Sequence, residues 1–203
     1  MSEVVSYSLV EIFESLQGEG RNSGRPCVFV RFAGCNLACP WCDTDCTEKF
    51  SASLGELVGE IMSFRAKTVV FTGGEPTLVE GMAELVAALK EKGYYIAVET
   101  NGLKSPDWLQ FVDYVACSPK AEYSSLYESE DALKEADEVR VVASSESVAS
   151  FCRFISNRIS ATDYYISPCD RDGEIDFATA KSVLATLDGW SLSVQLHKIL
   201  GFR

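Results

Sequence analysis

Residues 34–46 read GCNLACPWCDTDC and hold four of the chain's eight cysteines. Cys35, Cys39 and Cys42 are spaced C-x3-C-x2-C, and Cys46 follows after Asp43, Thr44 and Asp45. A zinc site usually pairs a C-x2-4-C with two further ligands far along the chain. Here the one histidine is His197, and no second cysteine pair is evident. Iron–sulfur clusters take several thiolates at short spacing. If all four cysteines bind, the loop belongs to an electron carrier. If three bind, one iron stays open, and an open coordination position marks a catalytic metal site, an argument stated for zinc and extended here to the cluster. Asp43 and Asp45 favour three, because carboxylates crowded against a fully thiolate-bound, anionic cluster raise its electrostatic energy. Cys46 is therefore expected outside the cluster.

The elements that must position this loop alternate along the chain. Strands are predicted at "CVFVRFAG" (27–34), "KTVVFTGG" (67–74), "YYIAVETNG" (94–102), "DYVACSPK" (113–120), "EVRVVAS" (138–144), "DYYISPCD" (163–170) and "SLSVQLHK" (191–198). Apolar spacing predicts helices over 54–64, 82–92, 130–136, 148–158 and 175–187. After the first interval the strands recur at roughly 25 residues, the length of a β–loop–α–loop unit. Parallel strands with crossover helices follow. A full eight-unit barrel takes ~250 residues, more than the 203 present. The expected fold is α/β, a partial (open) TIM-like barrel of about six parallel strands with reduced helices. A single domain over 1–203 is expected.

Polar residues gather where these strands end. Thr72-Gly73-Gly74-Glu75-Pro76, Glu99-Thr100-Asn101-Gly102, Ser118-Pro119-Lys120, Ser167-Pro168-Cys169-Asp170 and His197 all sit there, as does the cysteine loop. In parallel α/β folds the carboxyl ends of the strands form the active-site face. The formal charge of −12 lacks the basic footprint of a nucleic-acid binder. No apolar run approaches the ~18–20 residues of a membrane span. The N-terminus has no basic flank or apolar core, so no signal peptide is read and a cytoplasmic location is expected. Cys27, Cys117, Cys152 and Cys169 lie among apolar or turn residues and are expected to be buried thiols.

C-x3-C-x-aromatic-C, with Trp41 as the aromatic, resembles the signature of radical S-adenosylmethionine enzymes, and Gly73-Gly74-Glu75-Pro76 resembles their second motif. The resemblance implies a 4Fe-4S cluster on Cys35, Cys39 and Cys42. Its open iron takes the amino and carboxylate groups of S-adenosylmethionine, which one electron splits to methionine and a 5′-deoxyadenosyl radical. "SLQGEGRNSGRPCVFVRFAGCNLACPWCDT" (15–44), "FTGGEPTL", "VETNG", "SPK" and "LHKILGFR" are similar to the 7-carboxy-7-deazaguanine synthase family. That resemblance implies conversion of 6-carboxy-5,6,7,8-tetrahydropterin to 7-carboxy-7-deazaguanine with loss of ammonia, on the way to queuosine and other 7-deazapurines. Hydrogen leaves C6 of the pterin, the ring contracts, and hydrogen returns from 5′-deoxyadenosine.

Carried over by position, the resemblance implies further roles. Leu16, Gln17, Gly18, Glu19, Arg31, Thr72, His197 and the terminal carboxylate of Arg203 address the pterin. Thr44 binds magnesium through its hydroxyl. Trp41, Cys42, Asp43, Gly74, Glu75, Glu99, Ser118, Pro119, Lys120, Ser167, Pro168, Cys169 and Asp170 address S-adenosylmethionine, with Asn101 near its ribose. The family usually has Gln-Pro where this chain has Ser167-Pro168, and another residue at Cys169. An external one-electron reductant such as flavodoxin or ferredoxin, and a homodimer, are implied partners; nucleic acid and membrane are not. Two rivals stand beside this reading: a non-catalytic electron carrier using all four cysteines, and an activating enzyme for glycyl-radical proteins. The second gives no reason for "LQGEG" or for His197.

Overall fold

The computed structural model describes residues 5–171 and 173–202; Arg203 lies outside the described residues. Along the chain run β1 (Ser6–Leu16), β2 (Pro26–Phe32), β3 (Phe50–Ser53), α1 (Leu54–Ser63), β4 (Thr68–Gly73), α2 (Met82–Glu91), β5 (Tyr95–Thr100) and β6 (Tyr114–Cys117). They are followed by β7 (Glu135–Ala143), α3 (Val148–Ser156), β8 (Ser160–Arg171), β9 (Glu174–Asp176), α4 (Phe177–Leu184), β10 (Trp190–Leu192) and α5 (Leu196–Leu200). The sheet order is β10-β8-β7-β6-β5-β4-β2-β1-β3, with β9 paired to β8. From β2 to β10 every neighbouring pair is parallel. Strands that neighbour in space in chain order make an open, TIM-like sheet. Short 3-10 turns at Asp107–Phe111 and Ala121–Glu128 stand where two crossover helices are missing.

Side-chain alternation divides the sheet into two faces. Val28, Val30 and Phe32 of β2, Val69 and Phe71 of β4, Ile96 and Val98 of β5, and Val139 and Val141 of β7 join the main core. Against them pack Leu57 and Ile61 of α1, Leu85 and Leu89 of α2, Phe151 and Ile155 of α3, and Ala180 and Val183 of α4. The α1 helix starts cleanly because Ser53 and Glu56 form a reciprocal capping box. The intervening residues face the other way. Cys27, Val70, Ala97, Tyr114 and Ala116 make a small apolar floor. Arg31, Thr72 and Glu99 share that parity on β2, β4 and β5, and Arg140 and Ser167 alternate with core residues on β7 and β8, so the site lies on this concave face. Cys27, Cys117, Cys152 and Cys169 are buried, as expected.

Several elements differ from the sequence reading, among them the short strands β3 and β9. An eleven-residue strand, β1, precedes the first predicted one and pairs antiparallel with β2 and β3. Its register shifts between Leu9 and Glu11, which breaks the two-residue period. Residues 130–136 form no helix; β7 already begins at Glu135. The segment 191–198 is not one strand: β10 ends at Leu192, and His197 lies in α5.

The glycines of the Gly73-Gly74-Glu75-Pro76 turn serve packing. A Cβ on Gly74 would overlap the carbonyl oxygen of Gly34, which accepts a 2.9 Å hydrogen bond from Glu75 N. Gly34 N donates to Cys46 O at 2.9 Å. The cysteine loop therefore departs in backbone contact with β4. Gly74→Ala is expected to destabilise the protein by about 2–3 kcal/mol through forced backbone displacement. Gly59→Ala, on α1 with open space around it, should stabilise by about 0.5–1 kcal/mol. Urea unfolding of both variants, compared with wild type, measures the contrast.

Candidate cofactor and substrate site

The cysteine loop has no regular secondary structure and is pinned from several sides. Asn101 Nδ2, past the end of β5, donates to Asn36 Oδ1 at 2.8 Å. The Tyr123 hydroxyl lies 3.2 Å from both N and O of Ala38. Lys198 pairs with Asp43 at 2.6 Å. These contacts hold Cys35, Cys39, Cys42 and Cys46 at the border of a cavity of about 540 Å³. Burial raises the thiol pKa of Cys35 and Cys39, while the nearby Lys120 ammonium opposes it.

The donor set fits an iron–sulfur cluster. The loop thiols are free and share one cavity. Iron–sulfur clusters are held by Cys thiolates at short spacing along the chain. The opposite wall suits a polar ligand. Ser167 Oγ is buried there with no hydrogen-bond partner, and buried hydroxyls are normally satisfied. Lys120 Nζ donates to Ser118 Oγ at 2.7 Å on the same wall.

A second cavity, of about 550 Å³, is lined by Leu16, Gln17, Gly18, Glu19, Arg31, Thr72 and His197. Thr44, Thr72 and Glu99 border both cavities, so the two adjoin there. The β1–β2 loop makes the outer wall. Gly20 has φ +64°, and a Cβ there would overlap the Glu138 carboxylate; Arg21 N donates to Glu138 Oε2 at 2.9 Å. Arg21 also pairs with Asp163 on β8. His197 Nδ1 packs where a Cβ on Gly18 would stand, and Leu196 N donates to Gly18 O at 3.0 Å. Substrate-side residues from the two ends of the chain thus come together.

Arg140, 4% exposed, lines the cysteine cavity. Its guanidinium meets Glu19 at 2.9 Å, Glu99 at 2.8 Å and Glu138 at 3.0 Å. Burial works against the cation, but the three carboxylates outweigh it and raise its pKa. Burial likewise pushes Glu99 up, while Arg140 and donors from Thr72 and Gln17 hold it below the usual glutamate value. The Tyr114 hydroxyl donates to Glu138 at 2.7 Å.

The Radical SAM superfamily model matches residues 29–118, which take in the cysteine loop and the ends of β4 to β6. The 7-carboxy-7-deazaguanine synthase of Haemophilus influenzae is 43% identical over 98% of this chain and 95% of its own length. That of Neisseria meningitidis is 44% identical over 97% and 94%. The chain belongs to the 7-carboxy-7-deazaguanine synthase family. The crystal structure of QueE from Escherichia coli superposes with a TM-score of 0.75 at 24% identity, covering 95% of each chain, so the fold is shared. The site residues outside 29–118, including Gln17, Glu19, Arg140 and His197, fall within the span of the synthase relatives.

Of the residues assigned to S-adenosylmethionine from the sequence, Trp41, Cys42, Asp43, Gly74, Glu75, Glu99, Ser118, Lys120, Ser167, Pro168 and Asp170 line the cysteine cavity. Pro119 does not line it, and Cys169 borders a different groove, outside Trp41. Glu75 lines it by position, but its carboxylate is 1% exposed and already accepts from Thr77 N, Thr77 Oγ1, Thr100 Oγ1 and Asn101 N at 2.7–3.0 Å. A carboxylate so occupied ties the ends of β4 and β5 together and has little left for a ligand's ammonium. Arg31 Nε is held by Glu11 at 2.8 Å, and its Nη1 donates to Thr44 Oγ1 at 3.3 Å. Arg140, Gln195 and Lys198 were not singled out from the sequence. In "EVRVVAS", Arg140 has the look of the outward polar position of an ordinary strand. The signal was its parity: it alternates with the core valines exactly as Glu99 does with Val98.

Arg140→Met leaves the buried Glu138 and the half-buried Glu19 and Glu99 without their cation and is expected to cost about 3 kcal/mol. The pH dependence reverses sign. In wild type, the stability from the depressed Glu99 is complete above the ordinary glutamate pKa and is lost as pH falls through its lower folded value. In Arg140→Met the burial that pushes Glu99 up loses its main opponent, so stability should rise on acidification from pH 7 to pH 5. Urea midpoints across that range measure it.

Proposed function

We propose that this chain converts 6-carboxy-5,6,7,8-tetrahydropterin to 7-carboxy-7-deazaguanine with loss of ammonia, in 7-deazapurine biosynthesis of the queuosine type. The observation that carries this reading is the pair of cavities that meet at Thr72 and Glu99, one ending in thiols and the other lined by Arg31, Gln17 and His197. Cys35, Cys39 and Cys42 hold a 4Fe-4S cluster, and the cavity beside them takes S-adenosylmethionine. When bound, these groups supply the one-electron chemistry that removes a substrate hydrogen and returns it.

The chain's own residues bind, orient and exclude water. The Arg31 fork suits a carboxylate; it leaves Thr44 to take that of the substrate. The freed Thr44 hydroxyl would then offer a hard oxygen to magnesium, an ion that takes few protein ligands. Gln17 and Glu19 present donors and acceptors to the pterin edge, and His197 closes on it from α5. Thr72 and Glu99 form the floor where substrate and cofactor touch. An external reductant of the flavodoxin or ferredoxin kind supplies the electron. A single domain, a homodimer and a cytoplasmic setting complete the proposal. Among the described residues no helix is long and apolar enough to cross a membrane.

Anaerobic incubation of reconstituted protein with the carboxypterin, S-adenosylmethionine, magnesium and a reductant should yield the deazaguanine acid. Absence of that product from a protein with a full iron and sulfide complement refutes the assignment. Cys35→Ala, Cys39→Ala and Cys42→Ala should each lose the cluster's visible absorbance and turnover together. Arg31→Lys should raise KM for the pterin about tenfold, the scale of a lost bidentate contact, with a smaller change in kcat.

A further inference from the structure

The concave face has two lips at the carboxyl ends of its strands. One is the cysteine loop leaving β2, and the other is the end of β8. Lys198 stands between them, with Nζ 2.6 Å from Asp43 Oδ2 and 2.7 Å from Asp170 Oδ2. The same side chain borders the cysteine cavity, the substrate cavity and the groove outside Trp41. It is therefore part of the wall between the joined cavities and solvent. The five-residue helix that carries it buries no side chain of its own, and Ile199 and Leu200 are exposed. What fastens that helix is polar: Leu196 N on Gly18 O, Gln195 on Glu19 at 2.9 Å, and the Lys198 bridge.

We propose that Lys198 is a positioning residue that clamps the C-terminal helix across the mouth of the site, holding His197 toward substrate and keeping water from the hydrogen transfer. An ammonium suits the task, because three freely directed donors serve two carboxylates at once. One carboxylate neighbours a cluster cysteine and the other ends β8, so a single side chain joins both lips to the helix that faces substrate. The chemical part of this inference rests on the reaction proposed above. Without the clamp, cleavage becomes abortive. One electron from the reductant breaks the sulfonium carbon–sulfur bond, and a second electron with a proton from water quenches the adenosyl carbon. The products are methionine and 5′-deoxyadenosine, with the pterin unchanged.

Full-length reconstituted Lys198→Met and Lys198→Arg test it. Amide hydrogen exchange over residues 193–202 needs no turnover. It should quicken about fivefold in the Met variant, the scale of a lost, partly exposed charge pair, and stay near wild type in the Arg variant. In turnover the Met variant should release several-fold more 5′-deoxyadenosine per product, with kcat falling more than KM rises. Unchanged exchange in Lys198→Met overturns the clamp, and so does faster exchange with an unaltered ratio of 5′-deoxyadenosine to product. If Lys198→Met does not fold, Lys198→Gln carries the same two readouts. If wild type makes no product, the reaction assignment fails and the exchange arm alone decides whether Lys198 clamps the helix.

Discussion

The site depends on one buried cation. Arg140 brings together carboxylates from three separate elements: Glu19 on the β1–β2 loop, Glu99 on β5 and Glu138 beside it on β7. Removing a guanidinium from water is costly, and it is tolerated only where close, oriented acceptors replace the solvent. Here three anions do so, in a chain that is strongly acidic as a whole. Each carboxylate in turn fixes something the site needs. Glu138 seats the Gly20–Arg21 backbone. Glu99 orders Gln17 and Thr72. Glu19 holds Gln195 ahead of the C-terminal helix. The floor common to both cavities is thus set by electrostatics, while the helix-covered face is set by apolar packing.

An open sheet has to close its cavity by other means, and this one does so with polar bridges. The β1–β2 loop crosses the concave face to reach β5, β7 and β8. The C-terminal segment crosses from the opposite margin and meets it at Gly18 and Glu19. Neither closure buries much apolar surface, so both belong to the parts of a fold that open at low free energy. The core made by β2, β4, β5 and the α-helices is built differently, with Leu57, Leu85, Phe71 and Ile96 fully buried. A rigid frame with polar closures suits an enzyme that must admit two ligands and then exclude water.

The parallel core was legible in the sequence because each central strand is a short apolar run followed by polar or glycine residues, and because three cysteines at fixed spacing admit few chemistries. Nearly every residue assigned to the pterin or to S-adenosylmethionine borders one of the two cavities. What the sequence conceals is set by context. In β1 the register shift after Leu9 leaves Leu9, Val10, Ile12 and Phe13 without a strand period. "SLSVQL" alternates like a strand, yet pairing with β8 stops at Leu192, and docking on Gly18 turns the rest into a helix. Residues 130–136 have helix-favouring composition, but pairing with β8 from Glu135 overrides it. The four protein donors on Glu75 come from Thr77, Thr100 and Asn101, and no sequence pattern announces them. Arg140 needs three partners distant in sequence to become conspicuous.

The contact between Gly34 and Gly74 has a consequence for anyone rebuilding such a centre. Two peptide planes touch with no side chain between them, so the launch direction of the thiol-bearing segment is dictated by the neighbouring strand's terminus. The two sequence signatures, far apart in the chain, behave as halves of one hinge-less joint. Grafting the cysteines alone onto another scaffold transplants the donors without the bracket that aims them.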